Sequence, residues 1–337
     1  MMKFYKLLFM ISLMIGSLIA ISSYSWLSMW IGLEINLLSI IPLLSNSNNL
    51  YPSESALKYF ITQAMASTIL LFAIVSSINL NDFISTSLNH YWFMIFNSAI
   101  LTKMGAAPFH AWFPEVMEGL SWMNCLIMLT WQKLAPMVIL MYNMNMTTFL
   151  SAIIIFSTII SGILGLNQIS LRKIMAYSSI NHIGWMISSM LNSQTIWFMY
   201  FVIYTIITVN IIILFYYSNV FFLKQLFSSF NQNKTLKFFF VMNFLSLGGL
   251  PPFLGFFPKW LTINNLVENN FLVLSVILII STLITLYFYL RVTFSTLVLN
   301  SKESIIKIPQ LNMFVIVFSN FISLTGLIIC TLTFNMI

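Results

Sequence analysis

Residues 105–114 read Gly-Ala-Ala-Pro-Phe-His-Ala-Trp-Phe-Pro, and residues 249–258 read Gly-Leu-Pro-Pro-Phe-Leu-Gly-Phe-Phe-Pro. The two align without gaps, with Gly105/Gly249, Pro108/Pro252, Phe109/Phe253, Phe113/Phe257 and Pro114/Pro258 identical. Both lie inside apolar runs. Proline removes a backbone donor and frees a carbonyl, and glycine lets the chain turn. Gly105 and Pro108 in the first stretch, and Gly249, Pro251 and Pro252 in the second, therefore read as breaks inside membrane helices. Freed carbonyls can bind water or an ammonium. A lysine adjoins each break, Lys103 before the first and Lys259 after the second.

The surrounding composition is that of a membrane protein. Of 337 residues, 60% are apolar and 6% charged, with 14 Lys+Arg against 7 Asp+Glu and a net charge of +7. A soluble domain of this size needs far more charge to cover its surface. This excludes a soluble enzyme, a nucleic-acid binder and a disordered chain. A mean hydropathy of +0.96 and 16% aromatic residues agree. Cys125 and Cys330 are the two cysteines, far apart and in apolar runs. Their spacing suits neither a disulfide framework nor a zinc or iron–sulfur site, so they read as small buried apolar side chains. No cleavable signal stands out at the N-terminus. The bias toward Ile, Leu, Phe, Met, Asn and Ser fits A- and T-rich codons and hints at an organellar genome.

Apolar runs separated by polar punctuation predict eleven spans: 7–22, 26–44, 56–78, 91–105 continuing past the first break to about 116, 122–142, 149–166, 174–191, 196–222, 236–248 continuing past the second break to about 266, 271–299 and 313–334. Helices are expected, since lipid offers the backbone no other partner and the alternation of a β-barrel is missing. The chain reads as one membrane domain. One repeat half covers about residues 1–145, the other about 146–300, and a C-terminal helix about 311–335. The breaks fall in the fourth and ninth spans. An odd separation puts the copies in opposite orientations, the pointer to an inverted repeat with sites at broken helices near the midplane.

Charge segregation tests this topology. Lys3, Lys6, Arg172, Lys173, Lys224, Lys234, Lys237, Lys302 and Lys307 all fall on the N-terminal side, whereas the opposite connections hold Asp82 and Glu268 and no Lys or Arg. By the positive-inside rule the N-terminus faces the matrix or cytoplasm and the C-terminus the other side.

The remaining charges are the informative ones. Lys58 and Arg291 sit near span ends, where they can snorkel to headgroups. Glu34, Lys103, Lys133 and Lys259 have no such escape. Burying each costs roughly 2.5–3.5 kcal/mol on insertion scales, so each must face protein or water. One glutamate cannot pair three lysines, which argues against a mere set of helix-locking ion pairs. Desolvation and like-charge neighbours favour a neutral lysine, and a lysine that is neutral part of the time can carry a proton. His110 and His182, in or beside apolar runs, are candidate members of the same relay. His90 reads as a loop or interface residue.

Longer stretches carry a family resemblance: Trp-Ile-Gly-Leu-Glu-Ile-Asn-Leu-Leu-Ser (30–39), Lys-Met-Gly-Ala-Ala-Pro-Phe-His-Ala-Trp-Phe-Pro (103–114), Trp-Gln-Lys-Leu-Ala-Pro (131–136), residues 167–185 with Ser-Ser-Ile-Asn-His (178–182), and residues 243–260 ending Phe-Phe-Pro-Lys-Trp. With these the chain resembles the subunit-2 family of mitochondrial NADH:ubiquinone oxidoreductase (respiratory complex I), most nearly its insect forms, along nearly its whole length. The wider family includes subunits of multisubunit cation/proton antiporters.

The resemblance implies an all-α polytopic fold of about eleven transmembrane helices, with an antiporter-like inverted repeat and two broken helices. Animal members lack the first helices of bacterial relatives, in agreement with eleven spans. Glu34 would be the family's intramembrane glutamate, Lys103 its partner on the first broken helix, Lys133 the central lysine and Lys259 the lysine of the second broken helix; His110 and His182 match family histidines. Two half-channels would meet at a hydrated axis, with Glu34 tuning Lys103 and with like-charge repulsion along Lys103, Lys133 and Lys259 expelling protons. Quinone reduction would occur in other subunits, which would hold NADH, FMN, iron–sulfur clusters and ubiquinone. No cofactor or metal site is expected in this chain, which lacks a Rossmann fingerprint, a Walker motif and a cysteine cluster. Partners would be other membrane-arm subunits and lipid, not nucleic acid, in the mitochondrial inner membrane. The alternatives are a free-standing Na⁺/H⁺ antiporter, which would keep more acidic residues, and a non-pumping structural subunit, which needs no buried lysines.

Overall fold

The computed structural model describes residues 4–45, 49–80, 86–230 and 234–298, together with 317, 320, 321 and 326. The expected C-terminal helix (about 311–335), Cys330, Asp82, Lys3, Lys302, Lys307 and the side chain of His90 lie outside the described residues.

The first fourteen helices in chain order are α1 (Phe4–Ser22), α2 (Trp26–Leu44), α3 (Leu50–Leu80), α4 (Thr86–Met104), α5 (Trp112–Gly119), α6 (Trp122–Leu129), α7 (Trp131–Met141), α8 (Thr147–Gly165), α9 (Leu171–Met190), α10 (Gln194–Ser218), α11 (Leu223–Phe230), α12 (Lys234–Gly248), α13 (Phe256–Glu268) and α14 (Leu272–Val298). Each of the first ten expected spans is helical. Seven of these stretches are long and apolar enough to cross a membrane. Those carrying the Pro/Gly motifs are interrupted where the sequence places the interruption, between α4 and α5 and between α12 and α13. The chain is a multi-pass helical membrane protein.

Two details differ from the sequence expectation. The span 122–142 is interrupted at Thr130 (φ −112°, ψ −72°), which separates α6 from α7 immediately before Trp131-Gln132-Lys133. The connection after α10, which ends at Asn219 in the left-handed region (φ 51°), holds the short amphipathic helix α11. The Gln225 side-chain oxygen accepts from the Phe221 and Phe222 amides at 2.8 and 3.2 Å and fixes the start of α11. Leu226 is its buried residue, while Lys224 and Gln225 are exposed.

The chain divides into two compact units, Met1–Ile153 and Ile154–Ile337. In the first, α1 and α2 pack backbone to backbone through small residues. A Cβ on Gly32 would lie 2.5 Å from the Ala20 nitrogen, and one on Gly16 would lie 2.9 Å from the Asn36 nitrogen. Close approach of small residues is a main source of helix association in lipid. Side-chain donors add cross-links: Trp131 Nε1 to Ser17 Oγ at 3.1 Å, Asn124 Nδ2 to the Leu43 carbonyl at 3.0 Å, and Trp30 Nε1 to the Ser67 carbonyl at 3.1 Å. In the second unit α9 is enclosed along nearly its whole length. There Arg291, expected only to snorkel, donates through Nη1 to the Leu166 carbonyl at 2.5 Å, capping the end of α8.

Candidate functional site: buried lysines at two broken helices

The two breaks are built alike. Gly105 and Gly249 both have φ +76°, a conformation that costs glycine nothing. At the first, the Gly105 amide donates to the Thr102 carbonyl (3.2 Å) and the Ala106 amide to the Leu101 carbonyl (3.1 Å). At the second, the Gly249 amide donates to Ser246 (3.0 Å) and the Leu250 amide to Leu245 (3.3 Å). These paired bonds are Schellman motifs, which end α4 and α12 at the aligned glycines. The prolyl bonds Ala107–Pro108 and Pro251–Pro252, also aligned, are both cis.

A helix end leaves carbonyls without intrahelical partners and carries partial negative charge. The two breaks meet this with different donors. At the second, Lys259 Nζ donates to the Gly248 carbonyl at 2.9 Å and the Leu247 carbonyl at 3.3 Å. The freed carbonyls thus bind an ammonium, as the motif suggests. At the first, the Trp112 indole donates to the Thr102 carbonyl at 3.0 Å, and Gln63 Nε2 donates to the Lys103 carbonyl at 3.4 Å. The alignment makes the Lys103 and Leu247 carbonyls equivalent, so a neutral amide occupies in one half the place that a cation takes in the other. It also sets Glu115 opposite Lys259.

The three lysines singled out from sequence are enclosed, Lys103 at 8%, Lys133 at 1% and Lys259 at 6% exposure. Lys103 lies in the last turn of α4. Lys133 Nζ lies 5.7 Å from the centre of the Phe113 ring, which belongs to the first break, and Lys259 Nζ lies 5.7 Å from the centre of the Trp185 ring. A cation over an aromatic face is attracted by the ring quadrupole. Glu34 is half-buried in α2 and is not in ion-pair contact with Lys103. His110 is also half-buried, with Nδ1 3.3 Å from the Pro108 carbonyl. His182 is buried in the second unit, its Nδ1 2.9 Å from the Tyr200 hydroxyl and its ring against Tyr204.

Ion pairs form at the surface, around Lys58. Lys58 Nζ lies 3.1 Å from Glu54 and 3.2 Å from Glu115, all three exposed. Lys58 is therefore a paired surface cation, not a lone snorkelling one. Buried ion pairing at Lys103 or Lys259 is not what holds these helices.

Sequence reasoning missed the polar neighbours of Lys103. Asn36 on α2, Tyr59 and Gln63 on α3 and Gln132 on α7 surround it, and all but Gln132 are buried. Gln132 Nε2 donates to Asn36 Oδ1 at 2.8 Å, and the Tyr59 hydroxyl donates to Gln132 Oε1 at 3.4 Å. The available signal was Gln132 itself, a neutral polar residue adjoining Lys133 in an apolar run.

Paired broken helices, each bearing an enclosed lysine, define a polytopic carrier-like membrane protein in which charge is kept away from lipid. Residues 23–285 match the family model described as NADH:quinone oxidoreductase/Mrp antiporter, TM. The chain is 50% identical over 339 residues to NADH-ubiquinone oxidoreductase chain 2 of Aedes aegypti and 46% identical over 340 residues to that of Anopheles gambiae, with 99% of each chain covered in both cases. Its fold matches a chain of respiratory complex I from Thermus thermophilus with a TM-score of 0.88 at 21% identity, over 98% of this chain and 79% of that one. It also matches a chain of the Mrp complex from Dietzia sp. with a TM-score of 0.75 at 13% identity, over 89% of this chain and 61% of that one. The chain belongs to the NADH:quinone oxidoreductase/Mrp antiporter transmembrane family.

Proposed function

We propose that the chain is a proton-translocating membrane-arm subunit of NADH:ubiquinone oxidoreductase in the mitochondrial inner membrane. It relays protons while quinone is reduced in other subunits, which also hold the redox groups. Full-length similarity to chain 2 of that enzyme supports the assignment. The observation that carries the relay is the burial of Lys103, Lys133 and Lys259, two of them beside helix breaks. A scaffold gains nothing from three lysines placed where charge is costly. A lysine held on backbone carbonyls and an aromatic face, as Lys259 is, is suited to gaining and losing a proton.

The relay residues are Glu34, Lys103, Lys133 and His110 in the first half and His182 and Lys259 in the second. Glu34 is the carboxylate that would tune Lys103, since a nearby negative charge favours the protonated lysine. His182, held by Tyr200, has a ring nitrogen fixed in place for proton exchange. The cation distribution supports an orientation with the N-terminus in the matrix and the C-terminus in the intermembrane space.

Purification of the tagged chain from mild-detergent extracts of mitochondria tests the assignment. Recovery of rotenone-type inhibitor-sensitive NADH:ubiquinone reductase activity with the tag is expected. A chain that migrates alone, with sodium/proton exchange in vesicles and no reductase activity, would show a free-standing antiporter instead.

A further inference from the structure

A cavity of about 20 Å³ lies against Lys103, walled by Asn36, Tyr59, Gln63, Gln132 and Pro136. One water needs roughly 10–15 Å³ of such space and two to four polar partners. The cavity is thus sized for a single water. Leu33 and Leu37 complete the lining, but its polar side chains can hold a water and its walls are too close for an organic ligand. The lysine beside it and the lack of a lining carboxylate argue against a metal cation.

The walls are locked in place by their own bonds. Gln63 is committed to the Lys103 carbonyl, and the Gln132 amide is stretched between Asn36 and the Tyr59 hydroxyl. Pro136 lies four residues after Gln132 and has no N–H, so the Gln132 backbone carbonyl lacks its helical donor. Gln132 and Lys103 both line the cavity, so a residue whose carbonyl lacks its helical donor and a lysine adjoin the same space. The interruption at Thr130 aims this same turn.

We propose that this cavity holds one ordered water on the proton path from Lys103, and that Gln132 is the positioning residue that keeps it there. The inference rests on the relay role of Lys103. The water accepts from the lysine side chain and donates to the carbonyl that Pro136 frees. Asn36 and Tyr59 fix Gln132, so loss of either clamp loosens the water.

The test uses the assembled oxidoreductase in coupled membranes carrying Gln132→Leu, Gln132→Glu or Lys103→Met. Gln132→Leu is expected to assemble and to slow proton pumping by about tenfold or more, as misplacement of a reacting group does. It should also alter the solvent deuterium isotope effect, which a purely structural role would leave unchanged. Gln132→Glu keeps the acceptor for Tyr59, and with the Asn36 side chain turned so that its amide donates to the carboxylate it keeps both clamps and is expected to recover most of the pumping. Pumping at the normal rate in Gln132→Leu, or an equal loss in Gln132→Glu, would overturn the proposal. If Gln132→Leu does not assemble, a map of the unsubstituted complex that resolves waters decides: density between the Lys103 side chain and the Gln132 carbonyl supports the proposal, and its absence overturns it. Lys103→Met separates the two levels. Normal pumping in that variant would remove the relay itself, whereas lost pumping there with normal pumping in Gln132→Leu removes only the role of Gln132.

Discussion

Lys259 Nζ sits 2.9 Å from the Gly248 carbonyl, so a side chain from α13 caps the broken end of α12. This gives Lys259 a capping role that is separable from its proposed role as a proton carrier. Lys259→Arg keeps donors for the carbonyls but does not give up its proton. It should assemble normally and fail to pump. Lys259→Met leaves the two carbonyls without that donor, at about 1–3 kcal/mol, and should lower both assembly and pumping. Native gels and proton uptake on the two variants check this; an arginine variant that pumps normally would rule out a carrier role.

The glycines at the two breaks share a φ of +76° but not their surroundings. A Cβ on Gly249 would fall 2.7 Å from Lys259 Cδ, whereas one on Gly105 meets nothing nearer than Phe113 Cβ at 3.2 Å. Gly105→Ala should therefore cost mainly the left-handed backbone, about 1–2 kcal/mol. Gly249→Ala should cost more and shift Lys259 off its carbonyls. Thermal inactivation of the assembled enzyme should rank Gly249→Ala below Gly105→Ala, and equal stability would contradict the geometry.

Gly32 faces backbone, not flexible side chains. A Cβ there lies 2.5 and 2.8 Å from the nitrogen and Cα of Ala20, so α1 and α2 would have to part. Gly32→Ala is expected to cost about 1–3 kcal/mol, the usual range for overpacking. The readout is the amount of chain retained in the membrane after mild heating.

Lys58 is the contrasting cation. Its side chain is 44% exposed, and its partners Glu54 and Glu115 are 64% and 59% exposed in the chain. Exposed pairs contribute little. Lys58→Ala should assemble and pump close to normally; a loss as severe as that in Lys133 variants would mean that burial is not what marks the working lysines.

Residue chemistry explains which parts were legible. The breaks could be read because proline and glycine act on their own backbone, and Gly105 and Gly249 indeed close matching Schellman motifs. The lysines could be read because a cation in an apolar run has few destinations. Helix α11 was hidden because eight residues between spans carry too short a period. The interruption at Thr130 has no glycine or preceding proline to announce it. The cage around Lys103 was invisible for a different reason. Asn36 and Gln132 are 96 positions apart and uncharged, and only packing of α2, α3 and α7 joins them. Glu115 passed unnoticed as the partner of Lys58 because a contact 57 positions away leaves no local pattern.

The central claim is that the enclosed lysines carry protons. Its most direct test is the number of protons pumped per NADH oxidised in coupled membranes carrying Lys133→Met, with assembly confirmed. Methionine fits the buried space, 1% exposed in the native chain, and carries no proton. The account expects assembled enzyme whose pumping is lost or falls with turnover. An unchanged ratio at an unchanged rate would contradict it.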